Sequence, residues 1–341
     1  MTALDVEIPV AGQLTRLASD LWWARLPLPF RLDHINLYLL DCEDGWLVID
    51  CGINNADTDA HWQALLNGPL KGQKISRILV SHHHVDHIGY CAPLAARTGA
   101  EVLIGAEEEA HCRWIWQHED DAYAALMART YHAHGLDSQA ITTVIADRGK
   151  YRRMVAEIPP CRRLEAGSRL LSRDGSWQVR IDEGHSSGQI GLTDHQRGLY
   201  IAMDFLLPRI SPNISADIRD LHRDILTPYL EYLQEMTRLD GMVKIFPGHD
   251  WPFRNAADRA EELIRHHHDR LQQLLKAAHT APLTTATAMD TLFGKLFGPH
   301  ELYFAAGEAR AHLNTLVARG QLHRHQHKEK GRNEVDIFTL A

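Results

Sequence analysis

The sequence predicts an α/β fold, because strand-like and helix-like segments alternate along the chain. Residues 78–80 form a short apolar run typical of a buried strand, followed by a polar loop, a helical stretch at 88–98 and a further strand at 102–104. Strand-like runs return later in the chain, at 177–181, 191–193, 199–202 and 243–246. This β-loop-α-β order is typical of layered α/β architectures.

The length of the chain predicts two domains. At about 150 residues per domain, 341 residues exceed what one core usually holds. We predict a larger domain at 1–255 and a smaller domain at 256–341. Within the first, residues from about 107 to 157 are rich in Ala, Glu, Arg and aromatic side chains and are predicted to form a helical insertion.

The N-terminal part contains a predicted β-hairpin. Its strands are 37–40 and 46–49, joined by a turn at Glu43 and Asp44. An aromatic, proline-stiffened stretch at 22–30 precedes it. We interpret this stretch either as a loop at the mouth of a site or as a core strand followed by a turn.

The C-terminal part is predicted to form helices followed by a β-hairpin. Apolar positions from Leu263 to Ala278 have helical spacing, and further helices are predicted at 285–293 and 302–319, then a hairpin at 321–341. This order resembles a winged-helix module, so we expect a small α+β domain. Consecutive side chains on a helix point about 100° apart, so His266, His267 and His268 cannot bind one ion together, and we expect a structural role.

Composition and charge limit the classes of binding partner and the cellular location that we expect for this chain. The chain has 36 Lys and Arg against 44 Asp and Glu, a net charge of −8, which disfavours binding to polyanions. Residues 1–12 lack the pattern of a signal peptide, and the sequence contains no long apolar span. The number of cysteines is five, which is odd, and none is in a CxxC pair. We therefore expect a cytoplasmic protein without membrane contact; the sequence leaves a homodimer open.

The most informative segment is the histidine-aspartate string at 81–87. It follows the predicted strand 78–80, and the carboxyl ends of strands are where α/β sheets tend to place their chemistry. In an extended loop His82 and His84 face the same way, while Asp86 and His87 can reach a second point. Imidazoles and carboxylates suit zinc, with manganese and iron as alternatives.

Three more residues could complete such a site. His185, Asp204 and His249 each lie just past a predicted strand. Any one of them alone is more often structural than a ligand. Their occurrence together, after the string at 81–87, predicts a metal site.

The pattern His82-x-His84-x-Asp86-His87, with His185, Asp204 and His249, resembles the metallo-β-lactamase superfamily. The resemblance implies a four-layer αββα sandwich with two divalent metal ions at one edge. It assigns His82, His84 and His185 to the first ion and Asp86, His87 and His249 to the second, with Asp204 bridging both. By the same resemblance Asp50 orients a ligand imidazole; a strand-end turn is the alternative. His83 and His195 are expected to lie outside the site.

The implied chemistry is hydrolysis. Two metals about 3.5–4 Å apart lower the pKa of a shared water, and the hydroxide attacks the substrate. Asp86 is expected to act as the catalytic acceptor of the water's proton. None of the five cysteines lies in the motif, which excludes the single-cysteine second site of some β-lactamases of this superfamily.

The sequence specifies the substrate less closely than it specifies the metal ligands. Residues 184–190 resemble the second histidine motif of the hydroxyacylglutathione hydrolase branch, which favours a small acyl thioester or related ester; the different C-terminal part disfavours glutathione itself. The predicted insertion carries large side chains that form either a lid or ordinary packing: Trp114, Trp116, Tyr123, Met127 and Tyr131.

Alternative functions remain at this point. They are a lactonase, an endoribonuclease or other phosphodiesterase, and a metal-binding scaffold without activity. Superfamily endoribonucleases with a trailing winged-helix-like domain, and a basic stretch from Arg319 to Arg332, favour nucleic acid as substrate. The overall negative charge favours a solvated hairpin tip and makes nucleic acid the less favoured partner.

Overall fold

The computed structural model describes residues 1–118, 120–294, 298–327 and 334–341, and strands and helices alternate in it as predicted. The strands are β1 (Thr2–Ala3), β2 (Thr15–Arg16), β3 (Leu21–Pro27), β4 (His34–Cys42), β5 (Gly45–Ile49), β6 (Ile75–Leu79), β7 (Glu101–Gly105), β8 (Cys161–Leu164), β9 (Arg169–Leu171), β10 (Ser176–Asp182), β11 (Gln189–Asp194), β12 (Leu199–Met203), β13 (Lys244–Pro247), β14 (Phe253–Arg254), β15 (Leu322–His327) and β16 (Val335–Leu340). The helices are α1 (Ala56–Asn67), α2 (Val85–Ile88), α3 (Cys91–Thr98), α4 (Ala106–Gln117), α5 (Asp120–Ala133), α6 (Ser138–Arg152), α7 (Leu226–Met236), α8 (Ala256–Ala278), α9 (Thr285–Phe293) and α10 (Pro299–Ala318).

Two sheets form the core of the fold. The first has the order β2-β3-β4-β5-β6-β7-β8, and the second has the order β1-β14-β13-β12-β11-β10-β9. In the first sheet, β5 to β8 run parallel, so their carboxyl ends meet at one edge. In the second, β12 and β13 run parallel, while the other pairs are antiparallel.

The sheets face each other across a shared apolar core. Trp23, Tyr38 and Leu47 of the first sheet belong to one buried cluster with Trp177 and Leu192 of the second. The opposite face of the first sheet is covered by helices. Trp62 of α1, Leu94 of α3 and Cys112 of α4 belong to the cluster on that face. These layers confirm the predicted α/β class and its facing sheets.

The chain divides into two compact units. The first comprises Met1–Gln117, Tyr151–Pro212 and Met236–Arg259, and the second comprises His118–Lys150, Asn213–Glu235 and Ala260–Ala341. The predicted boundary at residue 255 differs from these units, since 118–150 and 213–235 group with the C-terminal part. Tyr123, Met127 and Tyr131 of α5 are buried, so these side chains of the insertion pack against other parts of the protein.

The second unit contains most of α8, α9, α10 and the hairpin β15–β16. The hairpin is antiparallel, with Leu322 opposite Leu340, and α10 carries the buried Arg310, whose Nη2 lies 2.7 Å from Asp336 Oδ2. The predicted element order is therefore present. A winged-helix arrangement stays a prediction. Lys328, Lys330 and Arg332 of the basic stretch lie outside the described residues.

One local interpretation is wrong. Most of the aromatic stretch at 22–30 is not a loop at the mouth of a site, because 21–27 form β3. β3 pairs antiparallel with β4, and Trp23 is fully buried, with its indole N–H donating to Asn36 Oδ1 at 3.0 Å. The alternative interpretation, a core strand followed by a turn, describes it. Among the described residues, no helix has the length and apolar character needed to cross a bilayer.

Candidate metal centre

The segment Ser81–His87 leaves the carboxyl end of β6. Residues 81–84 are extended or bent, with His84 at φ −64° and ψ 151°, and α2 then begins at Val85. The extended backbone directs His82 and His84 toward one point, and the turn into α2 directs Asp86 and His87 toward a second. This local geometry supplies four of the predicted side chains.

The first cluster joins this loop to the one between β10 and β11. His82 Nε2 lies 2.9 Å from His84 Nδ1, which lies 3.0 Å from His185 Nε2. With a carboxylate oxygen of Asp204, these potential ligand atoms all lie within 4.8 Å of one another.

The second cluster consists of Asp86, His87 and His249. His249 follows β13, so it comes from the second sheet. Oδ2 of Asp86 lies 3.7 Å from His87 Nε2 and 3.5 Å from His249 Nε2. Nitrogen and oxygen donors from two sheets therefore converge on a second point.

One carboxylate oxygen spans the two clusters. Oδ2 of Asp204 lies 3.5 Å from His185 Nε2 of the first cluster. The same atom lies 3.4 Å from His87 Nε2 and 3.3 Å from His249 Nε2 of the second. Asp204 thus stands where the sequence analysis expected a bridging ligand.

The donor set fits divalent cations. Ligands about 2.0–2.2 Å from a tetrahedrally coordinated ion lie about 3.4 Å from one another, close to the separations around Asp204 Oδ2. His87 Nε2 and Asp204 Oδ1 are buried and have no hydrogen-bond partner among the described residues. A Cβ on Gly248 would come within 2.1 Å of Asp204 Oδ1, so glycine is required for the carboxylate to stand there.

Each of three imidazoles is held from behind through its Nδ1 atom. His87 Nδ1 lies 2.6 Å from Asp50 Oδ2, His82 Nδ1 lies 2.9 Å from Ser81 Oγ, and His249 Nδ1 lies 2.8 Å from the His34 carbonyl oxygen. Outer partners of this kind orient metal-binding histidines and turn Nε2 toward the ion. The contact between Asp50 and His87 Nδ1 is the geometry expected of a residue that orients a ligand imidazole.

Backbone strain concentrates at the same place. Asp50, Met203 and Asp250 have φ values of 63°, 46° and 65°, in the left-handed region that residues other than glycine seldom adopt. Asp50 contacts His87, Met203 precedes Asp204, and Asp250 follows His249. Strained residues of this kind cluster at functional sites, where the surrounding structure holds them.

The electrostatics favour a positive charge at the centre. Burial alone would lower the pKa of His87, but the carboxylates of Asp204, Asp50 and Asp86 raise that pKa well above its ordinary value. Burial alone would raise the pKa of Asp204, but His249 and His87 hold it well below its ordinary value, so Asp204 is ionised. In the first cluster burial lowers the pKa values of His82 and His84, which leaves neutral imidazoles. The neutral imidazoles of His82 and His84 beside the ionised Asp204 carboxylate are competent ligands for a cation in the first cluster.

The seven predicted ligand residues are brought together, and two other histidines are not part of the group. Nδ1 of His83 lies 2.9 Å from Glu108 Oε2 and is not among the ligand atoms of either cluster, and His195 is exposed in the turn between β11 and β12. The indole N–H of Trp116 donates to the His83 carbonyl at 2.9 Å, so this side chain packs beside the 81–87 loop.

Sequence reasoning missed three residues beside the centre. Ser81 was visible within the histidine string, but a lone serine carries no ligand signal. His34 acts through its carbonyl oxygen, which no side-chain pattern can reveal. Glu108 stands in the acidic run that opens α4, where a solvated helix start is the usual interpretation; yet it is fully buried. Burial would raise its pKa, but His83 and further hydrogen bonds lower it, so the carboxylate is charged.

A separate His/Glu group lies in the second unit. His267, Glu308 and His312 are buried together. His312 Nδ1 donates to the Glu308 carbonyl at 2.8 Å, which leaves Nε2 to accept from His267 Nδ1 at 3.1 Å. The Glu308 carboxylate is paired with Arg270. Hydrogen bonding and ion pairing therefore account for these contacts, in line with the expected structural role of the histidine triplet.

Comparisons with known families agree with the geometry. Residues 31–249 match the family model described as the metallo-beta-lactamase superfamily, and residues 271–337 match the model described as a metallo-beta-lactamase-like C-terminal domain. The chain is also 23% identical over 314 residues to the probable metallo-hydrolase YqjP of Bacillus subtilis, covering 88% of this chain and 93% of that protein.

Two solved structures resemble nearly the whole chain. One is a beta-lactamase domain protein from Burkholderia ambifaria, with a TM-score of 0.85 and 30% identity, covering 98% of this chain and 95% of that one. The other is a metallo-beta-lactamase family protein from Thermus thermophilus, with a TM-score of 0.79 and 26% identity, covering 96% of this chain and 100% of that one. Both matches extend through the C-terminal part.

Proposed function

This chain belongs to the metallo-β-lactamase superfamily of metal-dependent hydrolases, and we propose that its reaction is the hydrolysis of an acyl thioester or a related ester. The single observation that carries the hydrolytic chemistry is the position of Asp204 Oδ2, within 3.3–3.5 Å of three histidines from both clusters. One oxygen shared in this way suits two cations held side by side.

The proposed ligands follow the two clusters. His82, His84 and His185 would hold the first ion, Asp86, His87 and His249 would hold the second, and Asp204 would contribute to both. Cations bound there would supply a water molecule of lowered pKa and a Lewis acid for the substrate carbonyl oxygen. Zinc is the expected metal for this nitrogen and oxygen donor set, with manganese and iron as alternatives.

Asp86 is the proposed proton acceptor. Its side chain is 14% exposed, against 6% for Asp204, which makes it the carboxylate better able to pass a proton to solvent. Asp204 is held ionised by the surrounding histidines and keeps its charge at the centre of the site. We therefore assign proton transfer to Asp86 and charge compensation to Asp204.

The choice of an acyl substrate rests on charge and on the 184–190 segment. A net charge of −8 disfavours a polyanionic substrate. Of the basic stretch, Arg324 Nη1 lies 3.1 Å from Asp336 Oδ1, so this guanidinium is already paired. The segment 184–190, which resembles the hydroxyacylglutathione hydrolase branch, contributes His185 to the first cluster.

A substrate panel tests this proposal. Metal-loaded protein is assayed on acyl thioesters, lactones, phosphodiesters and single-stranded RNA, together with His249→Ala and the control His195→Ala, which changes an exposed histidine outside the site. We expect thioester or ester hydrolysis that chelator abolishes, that His249→Ala loses and that His195→Ala retains. Cleavage of RNA without turnover of any acyl substrate would overturn the proposed substrate class.

A further inference from the structure

A buried carboxylate outside the seven-residue site touches both loops that carry the histidines of the first cluster. Glu108 lies in the first turn of α4 and is fully buried. Its Oε2 accepts a hydrogen bond from the backbone N–H of His83 at 2.8 Å, and its Oε1 accepts one from the backbone N–H of Gly188 at 2.8 Å. His83 stands between His82 and His84, and Gly188 follows His185 in its loop.

The same helix holds His83 at three more points. Glu108 Oε2 lies 2.9 Å from His83 Nδ1. The indole N–H of Trp116 donates to the His83 carbonyl at 2.9 Å, and the His111 ring stacks on the His83 ring with centroids 3.6 Å apart. Helix α4 therefore binds the backbone N–H, the backbone carbonyl and the ring of His83. Rotation of His83 would change the directions of His82 and His84.

A third metal site is the competing interpretation, since His83, Glu108 and His111 also form a compact group of potential ligands. Both oxygens of Glu108 are, however, already engaged by N–H donors of two loops. A cation drawing on this carboxylate would displace hydrogen bonds to buried backbone groups, which are costly to leave unmade. The contacts favour a carboxylate that joins two loops.

We propose that Glu108 is a positioning residue for the first metal ion: it joins the loop of His82 and His84 to the loop of His185 and so fixes the spacing of the three imidazoles. The inference rests on the proposed two-metal site and extends it. Ligand geometry must be held within about 0.5 Å for tight binding, so loss of this joint should weaken the first ion specifically. The histidines assigned to the second ion are oriented by other groups, His87 by Asp50 and His249 by the His34 carbonyl oxygen. Glu108 contacts neither Asp50 nor His34.

The chain supplies a matched control one residue further along α4. Glu109 is also buried in the same turn, but its carboxylate accepts from Arg113 Nε at 2.9 Å and Arg163 Nε at 2.7 Å and contacts neither loop. Glu108→Gln and Glu109→Gln both remove one buried negative charge from α4. They differ in whether the joint between the loops is removed.

Cadmium NMR, in which each bound ion gives its own resonance, combined with competition against a chelator, measures the affinity of each ion in full-length protein. We expect Glu108→Gln to weaken one ion by about 10–100-fold and to leave the other within twofold of wild type. Glu109→Gln should match wild type at both ions. Glu108→Asp, whose side chain is one methylene shorter, should weaken the same ion by an intermediate factor. This variant replaces Glu108→Gln in the comparison if Glu108→Gln does not fold.

Wild-type affinity for both ions in Glu108→Gln, or an equal loss at both ions, would overturn the inference. Because the readout is metal binding, it separates this inference from the proposed reaction. Selective loss of one ion in a protein that turns over no acyl substrate would retain the positioning role and reject the substrate class. Absence of two cadmium resonances in wild type would reject both.

Discussion

The carboxylate of Asp50 lies 2.6 Å from Nδ1 of His87, and both side chains are fully buried. Asp50 also accepts hydrogen bonds from the backbone N–H and the hydroxyl of Ser81, each at 2.7 Å. One residue at the end of β5 thus orients an imidazole of the second cluster and the start of the loop that carries the first.

We expect Asp50→Asn to lower the affinity for the second ion by about 10–100-fold, because an uncharged amide holds the His87 imidazole less firmly. The effect on the first ion should be smaller. Competition with a chromogenic chelator measures both. Asp44→Asn, which changes an exposed aspartate paired with Arg77, is the control and should bind like wild type. Unchanged affinities in Asp50→Asn would contradict the orienting role.

Gly248→Ala tests the position of Asp204. The added methyl would lie 2.1 Å from Asp204 Oδ1, so the carboxylate must move away from its place between the clusters. Hydrolysis and affinity for both ions should fall by at least about 10–100-fold, the range seen for perturbed metal partners. Gly149→Ala, in α6, is the control: its methyl would meet nothing within 4 Å and should stabilise the helix by about 0.5–1 kcal/mol. A fully active Gly248→Ala would be incompatible with a bridging Asp204.

Removal of metal should lower the melting temperature. Ions that bind only the folded chain stabilise it by about 2.7 kcal/mol at a free concentration 100 times Kd, and each kcal/mol corresponds to about 2–4 °C in a domain of about 150–250 residues. Differential scanning calorimetry of chelated and reloaded protein measures the difference. In Asp204→Asn the difference should shrink, since both ions lose a ligand. Equal melting temperatures with and without metal would count against tight metal binding.

Because of His134 in the second unit, we expect the free energy of unfolding to decrease at acidic pH. Burial, and then the charge of Arg310, lower the pKa of His134 to about 3, and neither ring nitrogen has a hydrogen-bond partner among the described residues. The unfolded chain therefore binds a proton between about pH 6.5 and pH 3 that the folded chain does not, so stability falls on acidification across this window.

His134→Leu should remove this contribution and relieve two unsatisfied polar atoms. We expect the free energy of unfolding at pH 7 to rise by about 1–3 kcal/mol and its decline toward low pH to become shallower. Urea denaturation at a series of pH values measures both, with His195→Leu as the exposed control. A less stable His134→Leu protein would contradict this expectation and would show that the His134 ring makes a net favourable contact in the folded chain.

The fold class and the seven converging residues could be predicted because both depend on local patterns. Apolar runs predict β4, β5, β6, β7, β10, β11, β12 and β13. The spacing of the 81–87 string, with isolated His or Asp residues past strand ends, indicates which side chains meet. Convergence of polar residues at strand ends can be predicted from sequence because the edge of a sheet brings the ends of neighbouring strands together.

Features that depend on tertiary packing could not be predicted. The stretch at 22–30 was ambiguous because a core strand and a site loop share aromatic and apolar composition, and only its pairing with β4 decides. Grouping of 118–150 with the C-terminal part depends on which surface buries Tyr123 and Met127, which periodicity does not specify. Glu108 was hidden because its partners are backbone N–H groups of distant loops.

The proposal that seven residues hold two ions is tested most directly by anomalous diffraction from crystals of the zinc-loaded protein. We expect two anomalous peaks, one among His82, His84 and His185 and one among Asp86, His87 and His249, both with Asp204 in reach at about 2.0–2.2 Å. A single peak, or peaks at other residues, would contradict the two-metal account.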